Sequence, residues 1–220
     1  MSTVNLYGPA AGDGWVLKSG SNWTDVRDAT SGSLSSNTTS NNAYGIRATV
    51  TSGRGGTSYV LTRSFFYWDT SSVTTSPSSG TFKVYGRTFT SGTPISCIKS
   101  TAGSVVTIAD FDAIPGWQTG GVNNSGNVTF YANNLNSWST SSYNDFTLNA
   151  TALSDIKNND TFGICLLIFN EDLRNGTPSS TNNMCGVYYI DSGSALNMPY
   201  INLTIPDVSD NAIFFGTNFW

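Results

Sequence analysis

The stretch from Tyr59 to Val73, YVLTRSFFYWDTSSV, constrains the fold more than any other part of the chain. Successive side chains of a β-strand point to opposite faces. One face of this strand would carry Tyr59, Leu61, Phe65 and Tyr67, and the other Val60, Thr62, Phe66 and Trp68. A strand backed by solvent is apolar on one face only. We therefore predict a central strand that is covered on both faces and ends at Asp69.

The composition indicates an all-β fold. Ser, Thr, Asn and Gly are abundant, and 11% of the residues are charged, whereas about a quarter is usual. Short strands separated by turn residues at regular spacing are typical of a sandwich or jelly roll. We predict one jelly-roll-like antiparallel β-sandwich with long polar loops over residues 1–205, followed by a C-terminal tail, residues 206–220.

Three further segments have recognisable patterns. Thr161 to Phe169, TFGICLLIF, is almost continuously apolar and predicts a second central strand. Ala150 to Lys157 is the one segment that fits a helix, with Thr151 as its cap. Asn170 to Met184 is polar, so we expect a long and mobile loop there.

Charge and hydropathy exclude two classes of partner. The net charge is −4 and the few basic residues are scattered. Phosphate binding needs Lys and Arg gathered on one face, so we expect no nucleic-acid partner. No run of about 18 apolar residues is present, which predicts no membrane-spanning helix. The first ten residues, MSTVNLYGPA, lack a basic region followed by an apolar stretch, so we expect no secretory signal.

The three cysteines, Cys97, Cys165 and Cys185, are an odd number and do not form a disulfide framework. We expect three buried thiols in a protein made in a reducing cytoplasm. Cys165 lies inside an apolar run, where burial would raise the pKa of its thiol, and a nucleophilic cysteine needs an activating base. The pattern therefore argues against a cysteine nucleophile.

The residues that most enzymatic mechanisms require are missing or scattered. The chain has no His, which removes His-based triads, general bases and metal sites. Glu171 is the only Glu, and a glycosidase needs two facing carboxyl groups at a defined separation. The available pairs, Glu171 with Asp172 and Asp155 with Asp160, are expected to be solvated in loops. We predict a noncatalytic protein that has no cofactor.

Asp110 and Asp112 alternate around Phe111 in the segment ADFDAIPGW. Calcium takes about six to eight oxygen ligands, and no further acidic cluster lies nearby in the sequence. A calcium site and a pair of solvated or capping carboxylates are both compatible with this spacing. The second interpretation is favoured, so we predict no bound metal.

Several strand and corner motifs support a resemblance that covers roughly residues 10–205. They are RSFFYWDTS from Arg63 to Ser71, TFKVY from Thr81 to Tyr85, DFDAIPGW from Asp110 to Trp117, WST from Trp138, YNDFTLN from Tyr143 to Asn149, and PYINLT from Pro199 to Thr204. With these motifs the chain resembles structural proteins of tailed bacteriophages, particularly marine ones. More distantly, it is similar to the DNRLRE-type jelly-roll domains of bacterial surface proteins.

The resemblance implies a virion component or an adhesion module without catalytic machinery, and no catalytic residues can be carried over from it. The corresponding role is capsid decoration or a subunit of a head or tail appendage, in a protein made in the host cytoplasm. Its expected partners are the major capsid protein or appendage subunits, and further copies of itself in a homo-oligomer.

The C-terminal tail departs from a plain sandwich because it is strongly apolar. Its large apolar residues are Ile213, Phe214, Phe215, Phe219 and Trp220. Soluble monomers seldom expose so many such groups together. The tail therefore either folds back on its own domain or binds a neighbouring subunit, where aromatic anchors dominate interface energetics. A role in a virion favours binding to a neighbour.

The alternative function is carbohydrate binding. Trp23, Trp117 and Trp138 fall in or beside expected loops, with Asn, Ser and Thr close by. Exposed aromatic rings with amide side chains are suited to stacking on sugar rings of host-surface glycans. The competing interpretation is that these tryptophans hold loops against the edge of the sandwich.

Overall fold

The computed structural model describes residues 1–37, 44–91, 94–191 and 196–207. These ranges contain eleven strands: β1 (Ser2–Tyr7), β2 (Asp13–Gly20), β3 (Leu34–Ser36), β4 (Ile46–Gly53), β5 (Gly56–Asp69), β6 (Ser79–Ser91), β7 (Ile95–Lys99), β8 (Tyr143–Thr147), β9 (Thr161–Ile168), β10 (Met184–Val187) and β11 (Tyr200–Ile205). The helical segments are α1 (Trp23–Arg27), α2 (Ala150–Asn158), a 3₁₀ helix (Ile108–Asp112) and a π-helical turn (Phe169–Leu173). Every strand pair is antiparallel, and the predicted all-β sandwich is confirmed.

Strand β5 is the centre of the hydrogen-bonded network. One edge pairs with β2 over residues 59–66, and the other pairs with β4 over residues 56–62 and with β9 over residues 64–69. All side chains from Leu61 to Phe66 are buried, and β9 is buried from Phe162 to Ile168. Both predicted central strands are therefore confirmed, and β5 ends at Asp69 as expected.

The face of β5 that carries Phe66 and Trp68 packs against a second layer of strands. In this layer β6 pairs with β8 and β11, and β11 pairs with β1. The ring of Phe82 on β6 lies 5.1 Å from the ring of Phe66 and 5.3 Å from that of Trp68, both on β5. Because β5 and β6 share no ladder of hydrogen bonds, these contacts join the two layers of the sandwich. We call this side of β5 the aromatic face.

The opposite side of β5, which we call the Arg63 face, is covered by helical segments and loops rather than by a sheet. Arg63 contacts a backbone carbonyl of the 3₁₀ helix at Phe111, another of α1 at Arg27, and the carboxylate of Asp172 in the π-helical turn. A segment that was expected to be a mobile loop therefore has buried residues near its start, because Asp172 and Leu173 are both 0% exposed. That expectation is wrong for the first part of 170–184.

The predictions about helices, cysteines and membrane-spanning segments can also be compared with the structure. Helix α2 is confirmed, but its cap is Asn149, whose side chain accepts a hydrogen bond from the backbone N–H of Ala152 at 3.0 Å, rather than Thr151. Helix α1 lies where only a loop was expected, and Asn22 caps it in the same way. The three cysteines are buried and free, as predicted. None of the helices in the described ranges has the length and apolar character needed to cross a bilayer.

Candidate functional site

The main group of buried charges lies on the Arg63 face. The guanidinium of Arg63 forms a bidentate pair with the Asp172 carboxylate, with Nη2–Oδ1 and Nε–Oδ2 distances of 2.7 and 2.8 Å. It also donates to the backbone carbonyls of Phe111 at 2.7 Å and Arg27 at 3.0 Å. Burial alone would lower the pKa of Arg63, but the adjacent Asp172 carboxylate outweighs that effect and raises it. The guanidinium therefore makes four hydrogen bonds, two of which form a charge-assisted pair with the Asp172 carboxylate.

A second arginine extends this group. Arg27 is also fully buried, and it donates to the backbone carbonyls of Asp172 at 2.5 Å and Val122 at 2.7 Å and to the carboxylate of Asp28. Both guanidinium groups lie over the ring of Trp117, with Cζ–centroid distances of 4.5 Å for Arg27 and 4.1 Å for Arg63. These contacts tie α1, the π-helical turn and the loop around Trp117 to β5. The polar groups of the cluster therefore serve to hold these segments together.

The carboxylates that were weighed as catalytic pairs lie in different environments. Asp172 is not solvated as expected, because Arg63 holds it in the interior. Glu171 is half-buried, and burial raises the pKa of its carboxyl group. Asp160 is exposed, whereas Asp155 accepts hydrogen bonds from Lys99 and Tyr131. In neither pair, Glu171 with Asp172 or Asp155 with Asp160, do the two carboxylates lie together in a solvated loop.

The carboxylate of Asp110 caps the 3₁₀ helix. It accepts hydrogen bonds from the backbone N–H and the hydroxyl of Thr107, at 2.7 and 3.0 Å. The capping interpretation of this segment is therefore confirmed for Asp110. Within the described ranges, no three His, Cys, Asp or Glu side chains come close enough together to hold a metal ion.

The three tryptophans do not form an exposed platform. Trp23 and Trp138 are only 6% and 7% exposed, and Trp117 lies beneath the two guanidinium groups. The ring of Trp23 packs on Tyr59 at 5.9 Å, and the indole of Trp138 lies directly against Gly86 on β6. Stacking on a sugar needs an accessible ring face, so the exposure expected for a glycan site is not found. The competing interpretation, that these residues hold loops on the sandwich, fits their contacts.

An apolar groove, which we call the edge groove, lies where β11 ends. It has a volume of about 200 Å³ and is lined by even-numbered residues of β1, by Leu203 and Ile205 of β11, and by residues 72–75. Within the described ranges β1 pairs only with β11, so its other edge is free of strand partners. The predicted docking residues of the tail, Ile213 to Trp220, lie outside the described residues.

A larger and more polar depression, which we call the Lys99 cleft, lies at the ends of β7 and β9. Its volume is about 460 Å³, and its walls are residues 99–104, Asn159 and residues 161–163, together with Tyr67 and Tyr131. Sequence reasoning missed this site because its walls come from four separated segments. The one feature of the sequence that points to this cleft is Lys99, a lone charged residue at the end of the mainly apolar strand β7.

Comparison with known proteins gives no family assignment. No protein-family model matches the sequence, and no curated protein sequence is significantly similar to it.

Proposed function

We propose that the protein is a noncatalytic structural subunit of a tailed-bacteriophage particle, either a capsid decoration protein or part of a head or tail appendage. In this proposal the sandwich is the rigid body of the subunit. Residues 206–220 bind a neighbouring copy of the chain and hold the assembly together. The observation that carries the proposal is the position of the edge groove at the point where this apolar tail leaves the sandwich.

The edge groove is suited to a short apolar segment. Val4 is 39% exposed at its rim, and Leu203 is fully buried at its floor. The free edge of β1 lies beside it and can add a further strand through backbone hydrogen bonds. Burial of an aromatic side chain contributes roughly 1.5–3 kcal/mol, so two or three anchors from the tail would contribute roughly 3–9 kcal/mol to holding a subunit in place.

A neighbouring copy of the chain is the occupant that best explains both the edge groove and the apolar tail. The tail follows Ile205 directly and carries five large apolar residues. A single groove of about 200 Å³ is too small to receive all five. If each copy offers one tail and one groove, copies join head to tail, as in rings and shells. Exchange of tails between copies also covers apolar surface that a single copy leaves open.

The charged residues support a noncatalytic role. In the described ranges, the most deeply buried charges belong to the Arg63 cluster, whose donors end on protein carbonyls and carboxylates. Burial raises the pKa of all three cysteine thiols, to about 12 for Cys185. Thiols in that state are poor nucleophiles.

Deletion of residues 206–220 tests the proposal. We expect the shortened chain to fold as a sandwich, with an unchanged far-ultraviolet circular dichroism spectrum, and to lose self-association in sedimentation velocity experiments. In a phage whose genome encodes the chain, the deletion should remove the protein from purified particles, as measured by mass spectrometry. Incorporation of the shortened chain at normal occupancy would overturn the proposal.

Two matched valine substitutions locate the acceptor. Val4→Asp places a charge in the edge groove, whereas Val105→Asp places one at a valine that is 58% exposed elsewhere. Val4→Asp should weaken self-association at least tenfold, since a buried unpaired charge is costly. Val105→Asp should leave it unchanged. Loss of association on tail deletion, with no effect of Val4→Asp, would keep the tail as the anchor but place its acceptor elsewhere.

A further inference from the structure

We propose that the Lys99 cleft binds a neutral, hydroxyl-rich ligand, a sugar residue of a glycan. The proposal concerns a different part of the molecule from the tryptophans that the sequence suggested and from the edge groove. It is carried by the volume of the cleft, its fixed walls, its self-neutralising ion pair and the phenol ring at its rim.

The cleft has the size and rigidity of a small-molecule site. Its volume of about 460 Å³ lies within the range of roughly 300–1,000 Å³ that is common for such sites. One wall is fixed by a hydrogen bond from the backbone N–H of Thr101 to the carbonyl of Ala113 at 2.9 Å. The other is fixed by Thr70, which donates to the carbonyls of Asp160 and Asn159 at 2.9 and 2.7 Å. Fixed walls lower the cost of ordering on binding.

A chain of three side chains supplies the polar groups. Lys99 Nζ donates to Asp155 Oδ2 at 2.9 Å, and the hydroxyl of Tyr131 donates to the same oxygen at 2.6 Å. Burial acts to raise the pKa of Asp155, but these hydrogen bonds outweigh it and hold the pKa below its ordinary value. The lysine and aspartate side chains remain 33% and 23% exposed. Because an ammonium group has three donors, Lys99 can donate to a ligand while it keeps Asp155.

The charge balance of the cleft selects the class of ligand. Lys99 is the only charged residue among the described residues that line the cleft, and Asp155 neutralises it. A phosphate or carboxylate would have to compete with Asp155 for the lysine. A neutral hydroxyl group can accept a hydrogen bond from Lys99 without breaking the pair. Exposed hydroxyl groups of Thr101, Ser104 and Thr161 on the walls can bond to further hydroxyls of the same ligand.

Aromatic surface completes the site. Tyr67 is half-buried at the rim. Two other lining residues, Tyr131 and Phe162, have buried rings that are stacked at 4.8 Å between centroids. The apolar C–H face of a sugar ring can pack against the partly exposed ring of Tyr67, while its hydroxyl groups reach the polar walls. This combination of an aromatic rim and polar walls is what a sugar ligand requires.

Titration of the full-length, isotope-labelled chain with glucose, galactose, mannose and N-acetylglucosamine tests the proposal by nuclear magnetic resonance. At least one of these sugars should shift the backbone resonances of residues 99–104 and 159–163 in a saturable manner. Lys99→Met and Tyr67→Ala should each weaken that binding about tenfold, through loss of a charged donor and of ring contact.

A matched lysine provides the control. Lys83 is paired with Asp145 on the surface of β6, beside the ring of Tyr143, and lies outside the cleft. Lys83→Met should leave sugar binding unchanged. The proposal is overturned if none of the four sugars shifts the cleft resonances at 100 mM, a concentration chosen to reveal even very weak binding. It is also overturned if inorganic phosphate binds there more tightly than the sugars, or if Lys83→Met weakens binding as much as Lys99→Met.

Discussion

The two faces of β5 are built on different physical principles, although they alternate along one strand. On the aromatic face, Phe66 and Trp68 pack on Phe82 through ring contacts of 5.1 and 5.3 Å. On the Arg63 face, a buried guanidinium holds three separate segments through four hydrogen bonds. The first face is stabilised by burial of area, which has little directional preference. The second depends on directional, charge-assisted bonds.

This difference predicts how each face responds to a conservative substitution. An apolar contact can relax, since neighbouring side chains move to fill part of the lost volume. The loss of a counterion cannot be recovered by such repacking. The remaining charge stays buried and unpaired, even when the substituted side chain keeps the same shape. We therefore expect the Arg63 face to be the less tolerant of the two.

The largest effect is expected for Asp172→Asn. The substitution preserves shape but leaves Arg63 buried beside a neutral amide, so the free energy of unfolding should fall by about 3–5 kcal/mol. Urea denaturation measures the change. The double variant Arg63→Met with Asp172→Leu should recover part of the loss, because it removes both charges of the pair but leaves the carbonyls of Phe111 and Arg27 without this donor.

A surface ion pair provides the control for this substitution. Lys83 and Asp145 are paired on the exposed side of β6, with side chains 23% and 49% exposed. Asp145→Asn should cost less than about 1 kcal/mol, since exposed pairs contribute little. If Asp172→Asn costs no more than Asp145→Asn, the Arg63 pair does not stabilise that face and the contrast between the two faces is wrong.

The same contrast separates what the sequence could predict from what it could not. The aromatic face follows from local alternation and long apolar runs, so β5 and β9 were both predicted. Arg63 lies in the same alternating strand, but its partner Asp172 is 109 residues away in the sequence. No local pattern links the two, so Asp172 was expected to be solvated. The Lys99 cleft was missed for the same reason, because its walls meet only in the folded chain.

Asp13 sharpens the comparison because it is a buried carboxylate on the aromatic face. It pairs in register with Phe66, and its Oδ2 accepts a hydrogen bond from the backbone N–H of Ile190 at 2.7 Å. Its Oδ1 has no hydrogen-bond partner among the described residues. Burial raises the pKa of Asp13 to about 8, and the nearby Asp191 adds to this shift. Asp172, by contrast, has the guanidinium of Arg63 beside it.

The raised pKa of Asp13 predicts an effect on stability that depends on pH. The folded-state pKa of about 8 lies above the unfolded value of about 3.9, so the folded protein holds the proton more tightly. Its contribution to stability is complete below about pH 4 and is lost as the pH rises to about 8, with a slope of at most about 1.4 kcal/mol per pH unit. Asp13→Asn should remove this slope between pH 5.5 and 8 and be more stable than the natural chain at pH 8. The free energies of unfolding of the two proteins can be measured by urea denaturation at several pH values in this range. If both change with pH in the same way, the raised pKa of Asp13 is contradicted.

Among the substitutions of buried residues, the smallest effect is expected for Phe82→Leu on the aromatic face. Phe82 is fully buried and touches the rings of Phe66, Trp68 and Phe146. Leucine keeps most of the apolar contact and leaves a small cavity, so the free energy of unfolding should fall by about 1–2 kcal/mol. Because the substitution changes no ionisable group, the loss should be independent of pH and salt. A loss as large as that of Asp172→Asn would mean that the aromatic face is as intolerant of change as the Arg63 face, and that geometric fit rather than charge sets the tolerance of both.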